Sequence, residues 1–431
     1  MKKLLTLLIF TLQFASAQEL LTLQQAIIRG LEHNYDILIA RQESEIAENN
    51  VHVGNAGFLP TVTLNGTVQE SSNNTRQEYT NGQIVDRTGA AASVMRASAA
   101  LNWTIFDGMK MFATLSSLKT RRDVSTVSYK ARIEATILSI TQLYYRIVLR
   151  AELNAVLQET KKISEQRMKL ISDKYEVGSA SRLEYLQAQV DLNEDISGLL
   201  TGDTELRNLK SELNELIGNE NDADYQVESS IPPARKLELG ELLEQINKGN
   251  SQLQTTRLNR SLADLAITQA RARYFPTLSL FGLYEYSRSK NDAGFFALNT
   301  TYGYTLGATL SYPLFDGFNT SREVENAIVN QRIAELREAD TQESLISEAG
   351  REFRKYKNSA QLVEFEEKNL TVAEENLAIA IERLRLGTYS PLELREAQKS
   401  LLLSKTRLIS AEYDLKIQEQ KLLQLSGQLL Q

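Results

Sequence analysis

The feature that most constrains this chain is that it says nearly everything twice. "LTLQQAIIRGLEHN" from Leu21 is answered by "LELGELLEQINKGN" from Leu237, and "AGFLPTVTL" from Ala56 by "ARYFPTLSL" from Ala272, both pairs 216 positions apart. "NWTIFDGMK", holding Phe106-Asp107-Gly108, is answered by "SYPLFDGFN", holding Phe315-Asp316-Gly317, at an offset of 209. The same offset of 209 carries Gly178 to Gly387 and "LIG" from Leu216 to "LSG" from Leu425. The offset changes between the proline and the FDG, so the first half holds a loop insertion there. Matches in register over almost the whole chain mean two copies of one unit. We place them at 18–218 and 237–431. The segment 219–236 between them is polar, carries Pro232-Pro233 and reads as a linker.

Within each copy the pattern predicts a helix, two strands, a very long helix, a short loop and a returning long helix. The strands fall near 59–70, 96–106, 276–287 and 302–314. "YGYTLGATLSY" alternates most cleanly, with Tyr302, Tyr304, Leu306, Ala308, Leu310 and Tyr312 against Gly303, Thr305, Gly307, Thr309 and Ser311. In "TLSLFGLYEY", Phe281 and Leu283 interrupt the polar side. Such segments suit membrane-barrel strands of ~9–11 residues, and equally the strands of a soluble sandwich. Four strands offer little core for a sandwich, and the smallest membrane barrels have about eight. If these strands cross a bilayer, several chains must share one barrel, because an open edge in lipid leaves backbone groups unpaired at several kcal/mol each.

The rest reads as helix. No proline interrupts Gly108 to Gly178, a span that would reach roughly 100 Å at 1.5 Å per residue. Ile133, Ile137, Ile140, Tyr144, Ile147 and Ala151 recur at heptad-like spacing, as do Leu401, Leu408, Leu415 and Leu422. That spacing means helix-on-helix packing, within one chain or between chains.

The first residues, "MKKLLTLLIFTLQFASA", join Lys2 and Lys3 to an apolar core and a small-x-small ending. They read as an export signal over 1–17, cleaved after Ala17. Gln18 then opens the mature chain, and a lipoprotein anchor, which needs cysteine there, is not expected. The chain has no cysteine, so thiol catalysis and a disulfide framework are excluded. A net charge of −7, with Lys and Arg interleaved among Asp and Glu, argues against nucleic acid. Two histidines, His33 and His52, and no nucleophile elbow or phosphate-cradling loop make an enzyme, a resident metal or a cofactor unexpected.

Taken in order, the doubled helix, β-hairpin, FDG, long helix, "VGSAS" or "LGTYS" loop and returning helix resemble the TolC family of outer-membrane efflux proteins. The resemblance covers the whole mature chain. It implies a homotrimer in which four strands per chain form a twelve-stranded outer-membrane β-barrel, continued by the long helices as a periplasmic α-barrel. It also implies a passive exit duct that receives small molecules from a periplasmic adaptor and an inner-membrane pump. An ABC-driven type I protein secretion system is the alternative, and an exported coiled-coil adhesin or scaffold is the rival of another class.

The resemblance makes the loops near 177–183 and 386–392 the periplasmic tips, with Val177, Gly178, Ser179, Leu386, Gly387 and Thr388 as adaptor-docking positions. The residues alone would equally allow plain helix-hairpin turns. It further places Glu393 and Glu396 at a pore constriction, with Glu184 at an acidic gate position. As i, i+3 neighbours, Glu393 and Glu396 share a helix face; two glutamates at a helix start also simply complement its dipole. The sequence departs from the family where a gate tyrosine and arginine are expected, at Leu384 and Tyr389. Arg182, Arg383, Arg385 and Arg395 are the candidate replacements.

Overall fold

The FDG corner shows how the sequence turns a strand into a helix, and it does so twice. In the computed structural model, strand β2 (Ile84–Phe106) meets helix α3 (Lys110–Glu176), and strand β4 (Leu298–Ser311) leads to helix α7 (Asn319–Arg385). At both corners a glycine and the following residue take left-handed backbone, Gly108 (φ 72°) with Met109 (φ 73°) and Gly317 (φ 68°) with Phe318 (φ 62°). A Cβ on Gly108 would lie 2.3 Å from the Ala272 carbonyl oxygen, so only glycine fits there. The preceding aspartates cap the new helices. Asp107 Oδ1 accepts from Met111 N at 3.1 Å, and Asp316 Oδ2 accepts from Thr320 N at 2.9 Å.

The structure describes residues 20–219, 223–293, 296–386 and 391–429. The expected export signal and the tip residues Gly387 and Thr388 lie outside them, as does Tyr389. The chain divides into two units, each built from both sequence copies.

One unit comprises 42–127 and 254–340. It holds a four-stranded antiparallel sheet in the order β1 (Thr61–Glu78), β2, β3 (Thr277–Asn291), β4. The central pairing of β2 with β3 joins the two copies. Register puts Val62, Leu64 and Val68 of β1 on one face with Leu101, Ala99 and Met95 of β2. Leu280, Tyr284 and Tyr286 of β3 continue that face to Ala308, Tyr304 and Tyr302 of β4. The other face is mostly Thr, Ser and Asn, with Arg96, Glu285 and the apolar Val94, Ala100, Phe281 and Leu283 among them. Phe281, which broke the expected alternation, lies over Gly307, where a Cβ would come within 2.5 Å of its ring. The first hairpin runs longer than the alternation predicted. Pairing continues to Glu78↔Ile84 through a bulge at Asn73/Thr75, because backbone bonds persist after the apolar pattern stops at Val68. Strand β4 ends at Ser311, just before Pro313, which has no N–H to give.

The other unit comprises 20–41, 128–253 and 341–429 and is helical. Ile140, Tyr144, Ile147 and Val148 of α3 pack with Leu213 and Ile217 of α4 (Arg182–Ile217), as the heptad spacing predicts. Leu422 of α8 (Pro391–Leu425) packs with Phe353 and Tyr356 of α7 and Leu242 of α5 (Leu239–Gly249). Duplication is again visible in a hydrogen-bond device. Asn34 follows α1 (Leu23–His33); its side chain accepts from Asp36 N and Ile37 N and donates to Leu216 O at 3.0 Å. Asn250 follows α5, accepts from Leu253 N and donates to Leu425 O at 3.0 Å. Each asparagine starts the next helix, α2 (Tyr35–Asn49) or α6 (Ser251–Arg271), and fastens it to the carboxyl end of a long one.

Candidate functional site

The first tip is built by a helix that stops on schedule. Gly178 sits at φ 77° with open space around the position a Cβ would occupy. Its N–H donates to Tyr175 O at 3.0 Å, and those of Ser179 and Ala180 both donate to Lys174 O, satisfying the last carbonyls of α3. Ser181 then caps α4. Its Oγ accepts from Glu184 N at 3.2 Å, while Glu184 Oε2 accepts from Ser181 N at 2.7 Å. Those bonds hold the Glu184 carboxyl below its ordinary range. Tyr175 and Tyr185 stack across the turn at 5.2 Å. Val177 points into solvent, 79% exposed.

At the second tip α7 ends at Arg385, Leu386 is exposed, and α8 begins at Pro391. Glu393 and Glu396 are exposed on α8, on the side away from buried Leu394, Arg395 and Ala397. The candidate gate arginines separate clearly. Arg395 is 4% exposed and turned inward, and Arg182 is exposed. Glu184 and Arg395 do not meet: the glutamate serves its own helix cap and the arginine serves other carboxylates.

Those carboxylates are the feature sequence reasoning missed. Asp195 and Asp191 of α4 are each 5% exposed, among Ser164 and Arg167 of α3. Arg395 grips Asp195 with both terminal nitrogens at 3.0 Å and reaches Glu194 at 3.1 Å. Ser164 Oγ donates to Asp195 at 2.5 Å, and Arg167 Nη2 to Asp191 at 2.6 Å. Gln187 donates to the other Asp191 oxygen at 3.2 Å. Burial would lower the Arg395 pKa, but the bonds and charge of Asp195 outweigh it and the net shift is upward. For Arg167 burial wins over Asp191 and the shift is downward. Two buried aspartates against two buried arginines leave the cluster close to neutral, which is what makes its burial affordable. Beside it lies a groove of about 370 Å³, lined by Ile171, Leu183, Ala188 and Leu392 with Arg167, Glu184, Gln187 and Asp191. The one trace in the sequence is spacing: Ala188, Asp191, Asp195, Gly202, Leu209 and Leu213 of the buried α4 seam fall at heptad-like intervals, which does not reveal their partner.

A sheet with one apolar and one polar face, joined to long coiled helices that break at paired tips, defines a membrane conduit rather than a soluble bundle. Among the described residues, no helix is long and apolar enough to cross a membrane. The sequence profile of the outer membrane efflux protein family matches residues 26–219 and 242–428, and the chain belongs to that family. It is similar to the outer membrane protein TolC of Salmonella enteritidis, 22% identical over 96% of this chain and 84% of that one. Nodulation protein T of Rhizobium leguminosarum bv. trifolii is also 22% identical, over 89% and 80%. Among solved structures, CusC superposes with a TM-score of 0.78 at 16% identity, over 94% of this chain and 92% of that one. The Vibrio cholerae outer membrane protein VceC gives 0.76 at 16% identity over 94% and 96%, and the open state of the Neisseria gonorrhoeae MtrE channel 0.71 at 16% over 94% and 89%. The fold expected of the single chain is therefore the observed one, and the protein is an outer-membrane efflux protein.

Proposed function

We propose that three copies of this chain close one barrel and that the duct passes small molecules handed on by a periplasmic adaptor and an inner-membrane pump. The observation that carries the reading is the open sheet. Strands β1 and β4 are edges, and in lipid every backbone group along them needs a partner. Three four-stranded sheets joined β1 to β4 give twelve strands, an even number in the known range. The helical unit supports the same closure. Phe365, Val372 and Ile379 recur every seven residues along α7, a spacing that Leu386 continues just past its end, and all are exposed, as are Leu183, Leu186, Val190 and Leu200 on α4. Apolar stripes at heptad spacing fit a helical neighbour in another copy.

The remaining assignments follow. The export signal over 1–17 delivers the chain, and Gln18 leaves it without a lipid anchor. The tips, with Val177, Gly178 and Ser179 in one and Leu386, Gly387 and Thr388 in the other, receive the adaptor. Glu393 and Glu396, six carboxylates in a trimer, ring the constriction and select cations, while Glu184 is a capping residue beside it. Arg395 ties α8 to the α3–α4 pair and holds the duct shut until the adaptor favours the open tip.

The test is reconstitution of the mature chain into planar bilayers together with an export assay. A heat-modifiable trimer with cation-preferring conductance is expected, and Glu393→Gln with Glu396→Gln should weaken the preference. Gly178→Trp with Gly387→Trp should leave the trimer in place and abolish drug resistance. A monomer that dissolves without detergent would end the reading, and unchanged resistance in the tryptophan variant would remove the tips from docking.

A further inference from the structure

The apolar face of the sheet is framed by aromatic side chains and then capped by charge at one end only. Tyr284 lies directly across from Tyr304, and Tyr286 across from Tyr302, forming a block of four tyrosines on one face. Toward the helices, the same face closes with Trp103, whose Nε1 donates to Phe58 O at 2.8 Å, and with exposed Tyr312. From Tyr302 to Tyr312 the chain advances ten residues. At about 3.3 Å per residue and a tilt of about 40°, this spans roughly 25 Å, the height of an outer-membrane apolar band. The two aromatic groups therefore mark the two interfaces, and the tyrosine block marks the outer one.

Two residues beyond Tyr286 on the same face stands Arg288, and two further stands Lys290. Each step of two adds roughly 5 Å along the membrane normal at that tilt, which puts both cations at headgroup depth. Both are exposed. The cross-strand neighbours of Arg288 are Met95 and Thr300, and those of Lys290 are Ser93 and Leu298. Among the described residues, neither cation has a carboxylate within ion-pair distance. Glu70 and Asp292 border a groove of about 470 Å³ with Lys290 without pairing to it. A further basic residue of the sheet, Arg96, pairs with Thr67 and Ser287 on the polar face.

We propose that Arg288 and Lys290 bind the phosphates of a phosphorylated glycolipid in the outer leaflet, while its acyl chains lie on the apolar band below the tyrosines. The argument is charge complementarity at a fixed depth. A guanidinium with free donors suits a phosphate in two-point contact, and the lysine supplies a second positive point about 7 Å along the strand. On the same face Glu70 stands across Ser93 from Lys290, beyond ion-pair distance, and Arg288 has no carboxylate among its cross-strand neighbours. The inference rests on the outer-membrane trimer reading, and each closed trimer would carry three such sites.

Native mass spectrometry of the detergent-purified full chain tests this, with bisphosphorylated lipid A, monophosphorylated lipid A, phosphatidylglycerol and inorganic phosphate as probes. The trimer should retain bisphosphorylated lipid A most tightly. Arg288→Gln with Lys290→Gln should weaken it at least tenfold, and Arg96→Gln should leave it unchanged. Thr300→Lys, which adds a cation beside Arg288, should strengthen it, so the idea stays exposed even if the double variant assembles poorly. Equal retention by the double variant overturns the proposal, as does binding of phosphatidylglycerol or inorganic phosphate as tight as that of lipid A. A spectrum of monomers would instead point to failure of the trimer reading.

Discussion

The tip-side halves of the two helical hairpins descend from one ancestral unit, yet one of them adds a buried ion cluster that the other lacks. In the second, Leu377 and Ala380 of α7 pack on Leu394 and Ala397 of α8, an apolar seam. In the first, Ile171 and Ala188 match Ala380 and Ala397 and are buried too, but further from the tip α3 and α4 also bury Ser164, Arg167, Asp191 and Asp195. The apolar seam needs no charge from elsewhere, although Ile163 of α3 packs against it. The polar one does, because Arg167 cannot neutralise two aspartates, and the missing charge comes from Arg395 in the other copy. Divergence after duplication has thus made one hairpin depend on its sibling. Oily packing tolerates sliding, whereas a buried charge bonded at both oxygens has one position or none.

Breaking the contrast at its centre should have the largest effect. Arg395→Met leaves Asp195 buried without its main partner, a loss of about 3–5 kcal/mol in the docking of α8. Hydrogen exchange should rise in α4 as well as α8, and single-channel records should show longer open times. Leu394→Ala, one residue away, removes about 2 kcal/mol or more of packing, but should leave α4 unloosened. If both variants loosen the same helices, the two seams are not distinct. Replacing Arg167, Asp191, Asp195 and Arg395 together by Met, Leu, Leu and Met sharpens the test. Stability should hold or rise, as buried ion clusters replaced by apolar groups commonly behave, while gating is lost because nothing then fixes a single closed position.

A smaller effect is expected at the first tip. Ser181→Ala removes the α4 capping bond to Glu184 N and should cost about 1 kcal/mol of local stability. Glu184→Gln keeps the box and should cost little. Were Glu184→Gln to change conductance more than Ser181→Ala changes stability, the carboxylate would belong to the gate and not to the cap.

The repeats, the FDG corners and the tips were legible because each rests on residues with a narrow backbone or patterning requirement. Gly108, Gly178 and Gly317 stand at left-handed positions, and the strand alternation follows directly from the pleat. The buried cluster was not read, since Asp191, Asp195 and Arg167 look like any charges on a charged helix until α8 arrives from 200 residues away. Partner choice across such a gap is set by the packing of three helices, and no local pattern carries it. The long first hairpin was missed for a related reason: its pairing beyond Val68 is carried by the backbone, which leaves no apolar alternation to see.

The mildest expected effect lies further along α3 and α8, beside α7. Glu152 of α3 and Glu412 of α8 face each other with Glu367 of α7 beyond. Burial, then the charge of Glu412, pushes the Glu152 carboxyl up to about 7, and burial, then Glu367, pushes Glu412 upward too. Here α8 meets a like charge on α3, where at the tip it meets opposite ones on α4. A carboxyl whose folded pKa exceeds its unfolded value of about 4.3 holds a proton in the fold that the unfolded chain has released. Stability therefore falls as pH rises from about 4.5 to about 7, and the full cost is present above that window. Glu152→Gln should remove this slope and raise the melting temperature at pH 8 more than at pH 5. At the tip, Asp195→Asn should do the reverse and lower it at both, because it deprives Arg395 of its anion. A melting temperature of Glu152→Gln that shifts equally at the two pH values would mean that Glu152 is ionised throughout, and that the two ends of α8 differ only in sequence.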